Sequence, residues 1–227
     1  MQMLADGIIK KHKMGRVANV IGASGLVGQQ IINQLLFHSE FDKIRIFVRR
    51  KTRFIHPNLE EKIIDFDQPE SWKQLVQGDI LFSTLGTTIR NVKTRKNQYR
   101  VDFTYQYEFA KAASENGVST FILVSSMGAN PKSFFFYPRM KGELEESVKK
   151  LNFKKLIILR PSILDGNRSE KRSGEKMALI FSRLFTRIIF KKYRPTPVQV
   201  LASEMVSQSI DQKVGFSLIE SGEINPV

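Results

Sequence analysis

The 227-residue chain has no cysteine. That excludes a disulfide framework, a thiolate metal site and a cysteine nucleophile. It also fits a reducing compartment, so a cytoplasmic protein is the expectation. Histidine is scarce: His12, His38 and His56 are the whole supply. They lack ligand-like spacing, so neither a zinc site nor a histidine-base enzyme is expected, and no other metal either. No run of about 18 apolar residues occurs, which excludes a spanning helix of ordinary type. The first stretch, MQMLADGIIKKHKMGR, is basic, and its apolar part is too short for a secretory signal. Residues 1–15 therefore read as a basic, poorly ordered leader, with Met14 as an alternative start. Acid is also in short supply, with 22 Asp+Glu against 36 Lys+Arg and a net charge of +14. Such a charge attracts polyanions, although a lysine-rich surface with no special partner has the same composition. The imbalance is local. Arg90–Arg100 holds five bases and no acid, Lys176–Arg194 holds six and no acid, and the chain turns mildly acidic after Ala202.

What is present is a hydrophobic content of 41%, enough for a proper core. Domains average about 150 residues, so one domain over 16–227 is expected, with a substrate-side region at about 161–200. Short apolar runs alternate with helix-period segments. Arg16–Ile21, Lys43–Val48, Lys62–Phe66, Asp79–Leu85, Thr120–Ser125 and Lys155–Leu159 read as strands. Leu26–Phe37, Pro69–Val76, Gln98–Glu115, Tyr137–Leu151 and Ser203–Asp211 read as helices. Strands that are apolar on both faces and separated by helices imply a parallel sheet with βαβ crossovers. The fold class is α/β: a Rossmann-like doubly wound parallel sheet with a small irregular C-terminal substrate region.

Gly22-Ala-Ser-Gly25-Leu-Val-Gly28 falls where the first strand passes into the first helix. In that context each glycine has a task. One makes the tight turn, one lets the backbone approach a pyrophosphate, and one lets helix and strand pack closely. The helix N-terminus offers N–H groups and partial positive charge to phosphates. The spacing is G-x-x-G-x-x-G rather than G-x-G-x-x-G, and a tight turn without a ligand is the alternative. About 20 residues on, an acid marks ribose recognition in NAD enzymes. Here Val48-Arg49-Arg50-Lys51 stands instead. A guanidinium pairs bidentately with a 2′-phosphate, so NADP(H) is the expected cofactor; two ordinary surface arginines are the alternative. Asp65 closes the third strand and is placed to meet an adenine edge, or else it or Asp67 caps the next helix. Gly86, after the fourth strand, suggests backbone close to a ligand.

Tyr137 and Lys141 stand four apart and share a helix face. A nearby ammonium favours a phenolate, which suits a tyrosine that exchanges a proton with a carbonyl or alcohol oxygen. A serine at the mouth of the preceding strand can hold the same oxygen. A surface pair on a helix is the plain alternative for Y-x-x-x-K taken alone. After the fifth strand of a dinucleotide fold the pattern is specific.

The segments GASGLVG, FVRRK, the S-x-LGTT stretch, LVSSMGA followed by Y-x-x-x-KGE, LRPSIL and EKRSGE together resemble an atypical short-chain dehydrogenase/reductase. The likeness spans about Val17 to Val206 and is greatest to the family of the human Tat-interacting oxidoreductase and its bacterial relatives. The resemblance implies that Ser24, Gly25, Leu26 and Val27 lie on the cofactor phosphates, with Leu85 and Gly86 on the adenosine side. It implies Tyr137 as proton donor or acceptor, Lys141 on the nicotinamide ribose, Leu164 near the nicotinamide and Arg172 reaching back to the cofactor. Ser125 is the carbonyl-orienting serine on this view, ahead of Ser126 and then Ser133. An N-N-A-G turn found in the larger short-chain family is replaced by TLGTT.

Phe134-Phe135-Phe136 walls an apolar pocket or packs as core, with core the preferred expectation. Ala178–Phe190 reads as a helix with Phe181, Leu184, Phe185 and Ile188 on one face, covering the sheet or meeting an anionic membrane. The expected activity is hydride transfer between NADPH and a small carbonyl or alcohol substrate. The alternative is an NADPH-binding regulator with an acidic protein or membrane partner. No nucleic-acid motif is present, so no nucleic-acid partner is expected, and the chain is a monomer or homodimer.

Overall fold

The computed structural model describes residues 15–166 and 193–224. Seven parallel strands form one sheet in the order β3-β2-β1-β4-β5-β6-β9. They are β1 (Arg16–Ile21), β2 (Phe41–Val48), β3 (Leu59–Ile63), β4 (Ile80–Ser83), β5 (Thr120–Val124), β6 (Lys155–Arg160) and β9 (Gly215–Glu220). The pair β7 (Leu164–Asp165) and β8 (Thr196–Pro197) makes a second, two-stranded parallel sheet. This is the expected doubly wound α/β architecture.

Successive residues of a strand point to opposite faces, and each face has its own core. Val20, Ile44, Ile46, Ile122 and Ile157 pack under α1 (Leu26–Leu36) and α7 (Val198–Ile210). Ile21, Phe47, Leu81, Phe121 and Ile158 pack on the other side. There they meet α2 (Pro69–Trp72), α5 (Tyr105–Glu115) and α6 (Phe136–Val148). Burial on both faces is why the strands read as unbroken apolar runs. Aromatic packing concentrates on the second face. Phe109 stacks on Trp72 at 4.0 Å between ring centres and meets Phe47 edge-on at 5.1 Å.

Several boundaries differ from expectation. β3 runs over Leu59–Ile63 rather than Lys62–Phe66. It is an edge strand paired to β2 alone, so charged side chains are tolerated. Glu60 accepts from Arg45 Nε at 2.8 Å and pairs with Lys62 at 2.6 Å. The helix expected over Gln98–Glu115 begins earlier, as α4 (Arg95–Tyr99), preceded by α3 (Ile89–Val92). It continues into α5 through a π-helical turn at Arg100–Thr104. The expected helix Pro69–Val76 is α2 followed by a 3-10 turn at Lys73–Leu75. α7 starts at Val198, directly after Pro197, rather than at Ser203. The strand β9 and the closing α8 (Ser221–Ile224) were not anticipated. β9 is an edge strand with Phe216 half-exposed, so its sequence lacks a clear two-residue alternation.

Two outcomes test this packing. Phe109→Ala removes a fully buried ring from the aromatic stack and is expected to cost about 3–5 kcal/mol in urea unfolding. Lys62 first, and Arg45 with it, hold the Glu60 carboxyl down at about 2. Its contribution is therefore fully present above about pH 4.5 and lost as pH falls toward 2. Glu60→Gln should flatten the unfolding midpoint against pH in that window, and an unchanged slope would count against the pairing.

Candidate cofactor-binding and active site

The strand order reverses between β1 and β4, which opens a crevice at their C-terminal ends. Thr84 closes the junction. Its N–H and its Oγ1 both donate to the Ile21 carbonyl, each at 3.0 Å. Gly22 follows with a φ of +83°, and a Cβ there would lie 2.5 Å from the Thr84 carbonyl carbon. Only glycine fits that close approach. A Cβ on Gly28 would lie 2.2 Å from the Gly22 carbonyl oxygen, so the start of α1 presses directly on the turn. Gly25 is the N-cap of α1, with no side-chain cap and no acid in the first turn. The helix end thus faces the crevice with its positive pole uncompensated by the chain.

A cleft of about 630 Å³ opens beside this turn. Gly22, Ala23 and Ser24 form one wall, Leu85 and Phe66 another, and the arm after β2 the third. That arm contributes Arg49, Arg50, Lys51 and Arg53, all exposed, and no acid among the described residues lines the cleft. Arg53 was missed by sequence reasoning, although it belongs to the same basic run. A glycine cradle, an uncapped helix end and a basic wall fit a dinucleotide. Leu26 and Val27 form the first turn of α1, and Gly28 is buried within it.

The remaining expected cofactor residues divide. Asp65 does not line the cleft. Its Oδ1 accepts from the Asp67 N–H at 2.9 Å, turning the chain so that Phe66 enters instead. Neither aspartate caps α2, whose N-cap is Gln68. Asp67 accepts from Tyr105 Oη at 2.6 Å and pairs with Arg100. The Arg100 guanidinium holds the Asp67 carboxyl below its usual range, while burial and Asp67 push Tyr105 up to about 12. Gly86 is exposed, 3.3 Å from Asp102 Oδ1 by its would-be Cβ. Leu164 lies in β7 and packs against the α1 side of the core rather than in the cleft. Gly166 beyond it approaches Leu26. Arg172, the helix read at Ala178–Phe190 and the leader lie outside the described residues.

Tyr137 and Lys141 sit on consecutive turns of α6. Tyr137 is 39% exposed, Lys141 only 2%, and the Lys141 Nζ lies 6.0 Å from the tyrosine ring centre. Lys141 also reaches Asp102 Oδ1 at 3.7 Å across the helix interface. Ser125 is placed differently from expectation. It is buried, and its Oγ donates to Glu145 Oε1 at 2.5 Å. Glu145 in turn accepts from Arg160 at 2.6 and 3.0 Å, and Arg160 reaches Glu220 at 2.9 Å. These carboxylates raise Arg160 above its usual range, Glu145 most of all. The Ser125 hydroxyl thus belongs to a buried ionic network that ties β5, α6, β6 and β9 together. Ser126 is half-buried and bonds only weakly to its neighbour's carbonyl, at 3.3 Å. Ser133 Oγ accepts the Phe135 N–H at 3.2 Å, at the start of α6. Phe134 and Phe135 are 92% and 72% exposed, which overturns the preference for core; two rings at the leading end of α6 have nowhere to bury. Phe136 is partly covered, with the Arg95 guanidinium 5.5 Å over its ring.

A glycine turn at the switch point of a parallel sheet, facing a basic cleft, defines a dinucleotide-binding protein of Rossmann type. A family model described as NAD(P)H-binding matches residues 22–176. The chain belongs to that NAD(P)H-binding family. It is 36% identical over 181 residues to the mitochondrial protein fmp52 of Aspergillus niger, covering 76% of this chain and 77% of that one. It is 33% identical over 219 residues to FMP52, mitochondrial, of Eremothecium gossypii, covering 91% and 95%. These relatives correct the branch expected above: they are FMP52 proteins, not the Tat-interacting oxidoreductase. They also overturn the cytoplasmic expectation, because they are named as mitochondrial proteins. A cysteine-free composition does not separate one reducing compartment from another.

Among solved structures, UDP-glucose 4-epimerase of Thermotoga maritima with UDP-glucose superposes at a TM-score of 0.66 and 14% identity, covering 91% of this chain and 77% of that one. A short-chain dehydrogenase/reductase superfamily protein of Agrobacterium tumefaciens with bound NAD gives 0.65 at 17%, covering 90% and 77%. Both share the fold. No helix among the described residues is long and apolar enough to cross a membrane, and no cluster there of three or more His, Asp or Glu suits a metal ion.

The glycine cradle makes its own prediction. Gly22→Ala forces a β-carbon onto the Thr84–Leu85 backbone at a positive φ, and should cost about 1–3 kcal/mol in thermal unfolding. A variant as stable as the parent would show that the β1–β4 junction tolerates separation.

Proposed function

We propose that the protein is an NADP(H)-dependent oxidoreductase that acts on a small carbonyl or alcohol substrate. One observation carries this reading: Arg49 and Arg50 line the same cleft as the Gly22–Ser24 turn, and no acid among the described residues lines it to repel a 2′-phosphate. On this reading Ser24, Gly25, Leu26, Val27 and Gly28 bind the pyrophosphate at the α1 N-terminus. Arg49 and Arg50 bind the 2′-phosphate as planar forks. Leu85 and Gly86 lie along the adenosine. The bound nicotinamide would supply or accept the hydride.

The chain's own residues handle the proton. Tyr137 Oη donates to the substrate oxygen during reduction and takes the proton back during oxidation. Lys141, its Nζ 6.0 Å from the tyrosine ring centre, holds the nicotinamide ribose. The Ser125 hydroxyl is committed to Glu145, so Ser126 orients the substrate oxygen. Exposed Phe134 and Phe135 stand just before Tyr137 and offer an apolar rim to the substrate. The names of the relatives support a mitochondrial setting.

Thermal-shift titration with NADPH and NADH is the first test. A one-site ligand at 100 times Kd adds about 2.7 kcal/mol, a rise of roughly 5–10 °C for a domain of this size. NADPH should produce that rise and NADH a much smaller one. Replacing Arg49 and Arg50 by Ala should remove the difference; equal losses for both nucleotides would end the NADP(H) assignment. In a carbonyl-substrate screen, Tyr137→Phe should abolish turnover while keeping the NADPH shift, and Ser126→Ala should slow turnover more than Ser125→Ala. Turnover retained by Tyr137→Phe would remove the tyrosine from the reaction.

A further inference from the structure

The carboxylate of Asp102 is a buried neighbour of Lys141 on α6. Both groups are almost wholly buried, at 1% and 2% exposure. Asp102 Oδ1 lies 3.7 Å from Lys141 Nζ, and Asp102 Oδ2 accepts the Thr87 N–H at 2.9 Å. Asp102 sits inside the π-helical turn at Arg100–Thr104. Such turns insert one extra residue into a helix and re-aim the side chains they carry, often at functional sites. A second polar chain backs the same turn. Gln106 Nε2 donates to the Asp102 carbonyl at 2.6 Å, and Ser83 Oγ donates to Gln106 Oε1 at 2.7 Å. Ser83 is the last residue of β4. Gln98, also buried, donates to the Thr87 carbonyl at 3.3 Å, while its own carbonyl oxygen has no partner. Two of these bonds, from Asp102 and from Gln98, hold Thr87 in the loop at residues 84–88 that also carries Leu85 and Gly86; the Gln106 and Ser83 bonds back the turn from β4.

We infer that Asp102 is the positioning residue for Lys141. Its carboxylate holds the ammonium in place and ties that placement to the 84–88 loop. A buried lysine without a counter-charge is costly and does not stay in one place. Asp102 supplies that counter-charge from a different helix, so the lysine cannot swing toward solvent along its flexible stem. The same carboxylate anchors the Thr87 N–H, so the cofactor-side loop and the lysine are held by one group. Gly86 leaves room above Asp102 Oδ1 that a side chain would occupy, which keeps the carboxylate beside the path of the ligand. The inference rests on the cofactor reading above and deepens it: the lysine end of the site holds the nicotinamide half of the cofactor through the Asp102–Lys141 contact.

The test compares two ligands on purified full-length protein. NADPH spans the whole site, whereas 2′,5′-ADP carries the adenosine and 2′-phosphate but no nicotinamide. Asp102→Asn keeps the shape and the acceptor for Thr87 but removes the charge. It should weaken NADPH about tenfold or more and leave 2′,5′-ADP within about twofold. Lys141→Met should do the same. Asp102→Asn combined with Lys141→Met should be no worse than Lys141→Met alone, because the aspartate acts through the lysine. Circular dichroism and melting of each variant check the fold. Should Asp102→Asn not fold, the neutral double variant and Asp102→Glu replace it, the latter keeping the charge and most of the NADPH affinity. NADPH affinity unchanged in Asp102→Asn, equal weakening of both ligands, or additive losses in the double variant would each overturn the inference while leaving the cofactor reading intact. Wild-type protein that binds neither NADPH nor 2′,5′-ADP would overturn the cofactor reading, and this inference with it.

Discussion

The backbone of Gly22 lies against the backbone of Thr84 and Leu85, closer than any side chain would allow. The first strand must release its chain at that point, and the fourth strand must release its own beside it. Because Gly22 has no β-carbon, the two exits can touch, with Thr84 bonded back to Ile21. The start of α1 then lands on the turn through Gly28, and its N-terminal end faces the crevice. The basic arm after β2 and the 84–88 loop after β4 flank the same opening. A larger residue at position 22 would separate the strands where ligand recognition begins.

Charge is sorted around this opening by burial. Among the described residues the cleft wall carries exposed cations and no carboxylate, so it presents positive potential to a phosphate-bearing ligand. Two carboxylates of the neighbouring helices are instead buried and paired. Glu145 is held by Arg160 and Ser125, and Asp102 faces Lys141 and Thr87. Buried ionic pairs of this kind contribute little net stability beside an apolar alternative, and they commit each partner to one geometry. The Glu145–Arg160 pair commits Ser125 to the core. The Asp102–Lys141 pair ties α6 to the π-helical turn at Arg100–Thr104. The protein therefore uses one kind of interaction for two ends: to lock α6 onto β6 and β9, and to hold it against the helix that carries Asp102.

Aromatic residues follow the same division. Phe109, Trp72, Phe47 and Phe66 fill the face of the sheet under α2 and α5, where rings pack edge to face or stacked. Phe134 and Phe135 stay in solvent, next to a half-exposed tyrosine. Three phenylalanines in a row carry no sign of which will be buried. The start of a helix at the sheet's C-terminal edge leaves the first two without a core to enter.

Short-range physics made much of this protein legible in the linear sequence. The apolar strands, the glycine turn and the four-residue spacing of Tyr137 and Lys141 depend on period, on turn chemistry and on which residues permit a positive φ. Each is a property of neighbours along the chain. Boundaries blurred where an edge relaxed the pattern, as in β3 and β9, or where a π-helical turn broke the helical period at Arg100–Thr104. Three matters were decided only by tertiary structure. Ser125 was drawn to Glu145 and not left at the mouth of its strand. Phe66 entered the cleft in place of Asp65. Asp102, on a helix far earlier in the chain, became the partner of Lys141. In each case the outcome depends on which helix crosses which strand and how deeply. A buried charge must find its counter-charge wherever the fold brings one, and spacing along the chain does not record that distance.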